Sequence, residues 1–102
     1  TVGGIEEDAG AIADLTVSPI WPNPASGSSP DLRLRVLLSR SEDLAMHLLD
    51  ASGRRLDHRV IRRGPGAHEV TWSPRTPVAG TYVLRIESGS GASGTRKWVV
   101  QR

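Results

Sequence analysis

The chain has no cysteine and no phenylalanine among its 102 residues, and only one lysine, one tyrosine and one methionine. Without cysteine there is no disulfide framework, no cysteine-based zinc site and no thiol nucleophile. Without phenylalanine, Trp21, Trp72, Trp98 and Tyr82 are the aromatic side chains, so a core must rest largely on Leu, Val and Ile. No apolar run approaches the roughly 18 residues that a membrane-spanning helix requires. The N-terminus also lacks the basic-then-apolar pattern of a secretory leader. If the protein is exported, its leader lies upstream of Thr1, and the chain reads as part of something longer.

An excess of one charge sign is missing too. Thirteen basic residues face 11 acidic ones, for a formal charge of +2, and Lys97 is the one lysine among the basic set. The arginines are interleaved along alternating segments, as Arg33 and Arg35 are, or flank one, as Arg54-Arg55 and Arg62-Arg63 do. That distribution describes a solvated sheet face and argues against nucleic acid as a partner, which would call for a clustered basic surface with stacking aromatics. The length suits one domain with one core.

What the chain does have is alternation. Residues 1–13, with Thr1-Val2-Gly3-Gly4 and the acidic Glu6-Glu7-Asp8, follow neither a strand nor a helix period and read as a linker. Residues 14–102 read as the domain. Leu15-Thr16-Val17 starts the alternation, and Ser18-Pro19 and Trp21-Pro22-Asn23-Pro24 stop it, because proline cannot donate to a sheet ladder. Residues 25–30 read as a polar turn.

Leu32, Leu34, Val36 and Leu38 then share a face opposite Arg33, Arg35 and Leu37, the mark of a strand with one buried side. Leu44, Met46 and Leu48 repeat the pattern, although residues 41–50 also fit helical spacing; short length and alternating neighbours favour a strand. Asp50-Ala51-Ser52-Gly53 is a turn with glycine available for positive φ. Leu56, His58 and Val60 continue the pattern on a fourth strand, and Gly64-Pro65-Gly66 breaks the run. Val70 with Trp72, then Tyr82, Leu84 and Ile86, then Trp98 with Val100 complete the series. About seven antiparallel strands with regular turn signals predict an all-β, immunoglobulin-like sandwich of two sheets.

Catalytic and ligand motifs are weak. Gly89, Gly91 and Gly94 spell G-x-G-x-x-G, but that motif binds a pyrophosphate only between a strand and a helix, and residues 96–100 read as a strand. His47, His58 and His68 lack ligand spacing, so no metal and no cofactor is implied. Asp50 is accounted for as a turn former, and neither it nor Asp57 has a readable base or orienting partner. No serine sits in a nucleophile elbow. Trp72 and Trp98 each share a face with a valine and are expected in the core, whereas Trp21, beside prolines, is expected at the surface. These features predict a protein without enzymatic activity.

Four motifs taken in order carry a resemblance. The run Leu15-Thr16-Val17-Ser18-Pro19-Ile20-Trp21 followed by Pro22-Asn23-Pro24 and a small-residue turn to Gly27 resembles the opening of the C-terminal sorting domains of the type IX secretion system. Asp50-Ala51-Ser52-Gly53-Arg54 resembles the family's central turn, Gly80-Thr81-Tyr82 its Gly-x-Tyr strand, and Lys97-Trp98-Val99-Val100 its basic-then-apolar ending. Trp98 stands where the family usually carries an aliphatic residue. The pattern is similar, too, to the immunoglobulin-like domain of the flagellar hook-capping protein.

The resemblance implies a domain that carries no catalytic residue. It would direct a covalently linked upstream cargo through outer-membrane type IX components to the cell surface or the extracellular space, after transit through the periplasm. A sortase-like protease would cut before Leu15. The recognition positions implied are Pro22, Asn23, Pro24, Gly27, Asp50, Gly53, Gly80, Tyr82, Lys97, Val99 and Val100, with the final strand offered for docking by strand addition. Two alternatives belong to other classes: a retained accessory binding or spacer module of a secreted hydrolase or surface filament, and a structural subunit that assembles through strand exchange.

Overall fold

The computed structural model describes residues 15–28 and 30–102, so the linker expected over residues 1–13 lies outside the described residues. Among the described residues eight strands follow one another: β1 (Leu15–Val17), β2 (Ala25–Ser26), β3 (Leu32–Leu38), β4 (Glu42–Leu49), β5 (Arg55–Arg63), β6 (Gly66–Trp72), β7 (Gly80–Ser88) and β8 (Ser93–Gln101). They form a three-stranded sheet in the order β1-β3-β6 and a five-stranded sheet in the order β2-β8-β7-β4-β5. The fold is an all-β sandwich, as the alternation predicts.

The pattern Leu32, Leu34, Val36, Leu38 is buried at every second residue, with 3% exposure or less at each. Val70 and Trp72 of β6 join it from the same sheet. Across the interface stand Leu44, Met46 and Leu48 of β4, Tyr82, Leu84 and Ile86 of β7, and Trp98 and Val100 of β8, all buried. Removing each such side chain from water contributes about 1.5–3 kcal/mol, which is why a chain without phenylalanine still holds two sheets together. Residues 41–50, ambiguous between helix and strand, lie in β4, because only period 2 places Leu44, Met46 and Leu48 together against this core.

Two expectations are corrected. Residues 25–30 are not simply a turn: Ala25 and Ser26 form β2 and pair in parallel with Val100 and Gln101 at the end of β8. The sandwich of about seven antiparallel strands expected from the sequence therefore has eight described strands, one pair of them parallel. The second correction concerns β5. His58 and Val60 do not share the inward face with Leu56; Val60 is 59% exposed, and Ile61 is the buried residue. The cause is a register shift opposite Leu48 and Leu49, where Leu48 pairs with Asp57 but Leu49 pairs with Arg55. A bulge inserts one extra residue and flips the alternation downstream, so Leu56 and Ile61 both reach the core.

The two long sides of the sandwich differ. On one side, Arg96 of β8 reaches across to β1: its Nη2 donates to the Val17 carbonyl at 2.5 Å and its Nε to the Ser18 carbonyl at 3.2 Å. On the other side, the chain passes from β5 to β6 through Gly64-Pro65, so the outermost strand of each sheet lies there. Arg59 Nη1 donates to the Thr71 carbonyl of β6 at 3.3 Å, and the Arg75 amide donates to Asp57 Oδ2 at 2.9 Å.

Candidate functional site

The recognition positions expected from the sequence come from four widely spaced stretches, and the fold brings them to one end of the five-stranded sheet. Register explains the first contact. Gly80 pairs with Val100, Thr81 with Val99 and Tyr82 with Trp98, so the start of β7 lies along the end of β8. Leu49, at the end of β4, pairs with Val83, which sets the Asp50 turn beside the same end. Asp50, Ala51 and Ser52 share an open cleft of about 260 Å³ with Val78, Gly80 and Tyr82.

The Pro22-Asn23-Pro24 segment closes the group. Its Trp21–Pro22 and Asn23–Pro24 peptide bonds are both cis. Neither proline has an N–H to offer a neighbouring strand, and the side chain of Asn23 supplies the missing chemistry. Its Nδ2 donates to the Lys97 carbonyl at 3.0 Å and its Oδ1 accepts the Val99 amide at 3.0 Å. One carboxamide thus takes the place of a strand's peptide group on the outer edge of β8, one step before β2 takes over at Val100. Trp98, fully buried, donates its indole Nε1–H to the Pro22 carbonyl at 3.0 Å.

The tail is fastened further on. The Gly27 amide donates to the Gln101 carbonyl at 3.1 Å, and Arg102 Nη1 donates to the Gly27 carbonyl at 2.6 Å. A second Arg102 nitrogen, Nη2, donates to the Thr76 carbonyl. Gly27 sits at φ +110 with open space around it, so backbone conformation and not crowding calls for glycine there. The final strand is consequently not a free edge from Lys97 to Gln101. The docking role expected of it is corrected: its outer side is already occupied by Asn23 and β2.

Asp50 organises the central turn. Its Oδ1 accepts the amides of Ser52 and Arg54, each at 3.0 Å, and the Ser52 hydroxyl at 2.6 Å. Gly53 closes the turn at φ +89, its amide donating to the Asp50 carbonyl at 2.9 Å. These donors, the Ser52 hydroxyl first and then the Arg54 amide, hold the Asp50 carboxyl below its ordinary range. Glu42 is also lowered, chiefly by a hydrogen bond from Ser90 and then by Arg40, whose Nε lies at 3.2 Å. A carboxyl depressed in the fold adds stability above its unfolded value, and that stability is lost as pH falls through the folded value. The thermal midpoint should therefore drop as pH falls below about 4, and the gap between the native chain and Asp50→Asn should narrow over the same interval in a calorimetric pH series.

Tyr82 turns its hydroxyl back to donate to the Val78 carbonyl, pinning the loop that follows β6. Trp72 and Trp98 are in the core and Trp21 is 36% exposed, as expected. The glycine motif lies in the β7–β8 hairpin, where the Ser88 amide donates to the Ala92 carbonyl at 2.8 Å.

The histidines fall elsewhere. His47 and His58 stack across β4 and β5 on the outer face, ring centres 6.2 Å apart, while His68 bonds the Gly64 carbonyl. Among the described residues no group of three or more His, Asp or Glu is placed to hold a metal. No helix among them is long and apolar enough to cross a membrane.

Sequence reasoning did not anticipate the roles of Asn23, Arg96 and Arg102. A signal for the first was present: an amide side chain between two residues that lack a donor.

No family model matches the chain, and no curated protein matches it. Among solved structures it is similar to the crystal structure of dimeric latent PorU from Porphyromonas gingivalis, with a TM-score of 0.63 and 15% identity. The match covers 94% of this chain and 10% of that one, so the chain spans about a tenth of the length of the structure it resembles. The likeness is one of fold: an all-β sandwich that occurs there as a small part of a much larger protein.

Proposed function

We propose that the chain is a non-catalytic sorting domain of the type IX secretion system. It would carry an upstream, covalently linked cargo through outer-membrane components of that machinery to the cell surface or the medium, with a sortase-like protease acting on the segment before Leu15. The observation that carries this reading is the convergence of the four motifs at one end of the molecule, where Asn23 joins Lys97 to Val99 across 74 and 76 residues of sequence. The fold likeness to PorU supports the all-β sandwich on which this reading rests. Recognition of a folded end asks for a fixed surface and no reacting group, which suits a site built from hydrogen bonds between backbone and turn residues.

The test is export. The full chain fused to the C-terminus of a periplasmic reporter should bring the reporter to the surface of a bacterium that possesses this machinery. It should fail to do so in a strain lacking the outer-membrane component. A folded fusion that stays in the periplasm of the competent strain contradicts the reading.

A further inference from the structure

The two edges of the five-stranded sheet are treated differently, and that asymmetry points to a binding surface. At one edge, β2 and the Asn23 carboxamide cover β8. At the other, β5 pairs only with β4, and no described strand lies on its outer side. An uncovered strand presents N–H and C=O groups as a template for a further strand; on β5 the His58 amide and the Arg62 carbonyl are held only by the strand's own Asp57 and Arg63 side chains, which an added strand would have to displace.

Side chains decide which strand would fit. Arg54 is paired with Asp50 at 3.4 Å and Arg62 with Asp43 at 3.0 Å. Arg55, Arg59 and Arg63 have no carboxylate within salt-bridge distance among the described residues; their contacts are to the His47 ring, the Thr71 carbonyl and the Arg62 carbonyl, which leave their charge unbalanced. Asp57, the acidic residue of β5, is committed to the amides of His58 and Arg75. The edge therefore carries surplus positive charge along its length. Val60, 59% exposed on the outer face, adds an apolar contact point. A second copy of β5 would bring arginines against arginines, which is unfavourable for directly opposed like charges.

We infer that β5 is a docking edge for an extended acidic segment of a partner protein, which adds as a sixth strand beside Arg55–Arg63 with carboxylates against Arg55, Arg59 and Arg63. The inference rests on sheet topology and charge and is independent of the sorting role, so either can fail without the other. Backbone pairing would supply affinity, and the arginines would supply selection by charge.

The experiment uses the isotope-labelled full chain and a short synthetic peptide alternating glutamate and valine. Its controls are the lysine–valine counterpart and the glutamate–valine peptide N-methylated at alternate positions. Binding of the acidic peptide should shift the β5 amides and slow their hydrogen exchange, and neither control should do so. The double variant Arg55→Glu with Arg63→Glu, both at the ends of the strand, should bind the acidic peptide at least about tenfold more weakly, a change of about 1.4 kcal/mol, and should gain the lysine peptide. The inference is overturned by no binding, by equal binding of either control, by shifts that map away from β5, or by a dimer of the chain held through β5.

Discussion

Replacing Trp98 with alanine is expected to destabilise the domain severely. The side chain is fully buried at the pairing of β7 with β8, opposite Tyr82, and its indole bonds the Pro22 carbonyl. Emptying a core site of that size costs about 3–5 kcal/mol, against total stabilities of roughly 5–15 kcal/mol for domains in general. The substitution thus removes from about a fifth to the whole of what holds such a domain together. Urea denaturation followed by circular dichroism should show either no folded baseline or a midpoint lowered by at least about a fifth. Trp98→Phe separates the two contributions, since it keeps most of the ring and loses the indole donor. It should cost about 1–2 kcal/mol, a single hydrogen bond with a modest packing loss. A Trp98→Ala protein that unfolds near the native midpoint would show that the end of β8 is not part of the cooperative core.

The second large effect belongs to Asn23. Its carboxamide makes two hydrogen bonds to the β8 backbone, and alanine removes both while leaving the Lys97 carbonyl and the Val99 amide without that partner. At about 0.5–1.5 kcal/mol each, the loss should be about 1–3 kcal/mol, seen as a lower denaturation midpoint with an unchanged slope. Asn23→Asp preserves the acceptor for Val99 and loses the donor to Lys97, placing negative charge against a carbonyl. It should be no more stable than the alanine variant. An aspartate variant as stable as the native chain would mean that the Lys97 contact contributes nothing.

Those two residues also mark where sequence reading succeeded and where it stopped. The inward faces of β3, β4 and β7 are legible because alternation reports local geometry directly, and Leu32, Leu44 and Tyr82 each stand where period 2 puts them. The alternation of β5 is misread for a physical reason. A bulge at its start leaves no mark in composition, and the residues after it exchange faces, so Val60 stands outside and Ile61 within. β2 was hidden for another reason: a two-residue strand has no period to detect, and its identity comes entirely from a partner 75 positions away.

The candidate site follows the same division. Asp50 and Gly53 make a turn from contacts within five residues, which short-range rules capture. The union of Pro22-Asn23-Pro24 with Lys97-Trp98-Val99 depends on the completed topology, in which β8 is the penultimate strand and the proline segment runs beside it. Sequence order alone places these two stretches at opposite ends of the domain. The same completed topology leaves β5, and not the final strand, as the uncovered edge of its sheet.

The central claim is that one asparagine side chain stands in for a strand and fastens the end of the chain. Hydrogen exchange of the Val99 amide, read residue by residue, tests it most directly. In the native chain this amide should exchange as slowly as those paired between β7 and β8. In Asn23→Ala it should exchange faster than the paired amides of β7, and the β4–β7 amides should keep their order of protection. A Val99 amide that is unprotected in the native chain, or equally slow after Asn23 is replaced, contradicts the claim.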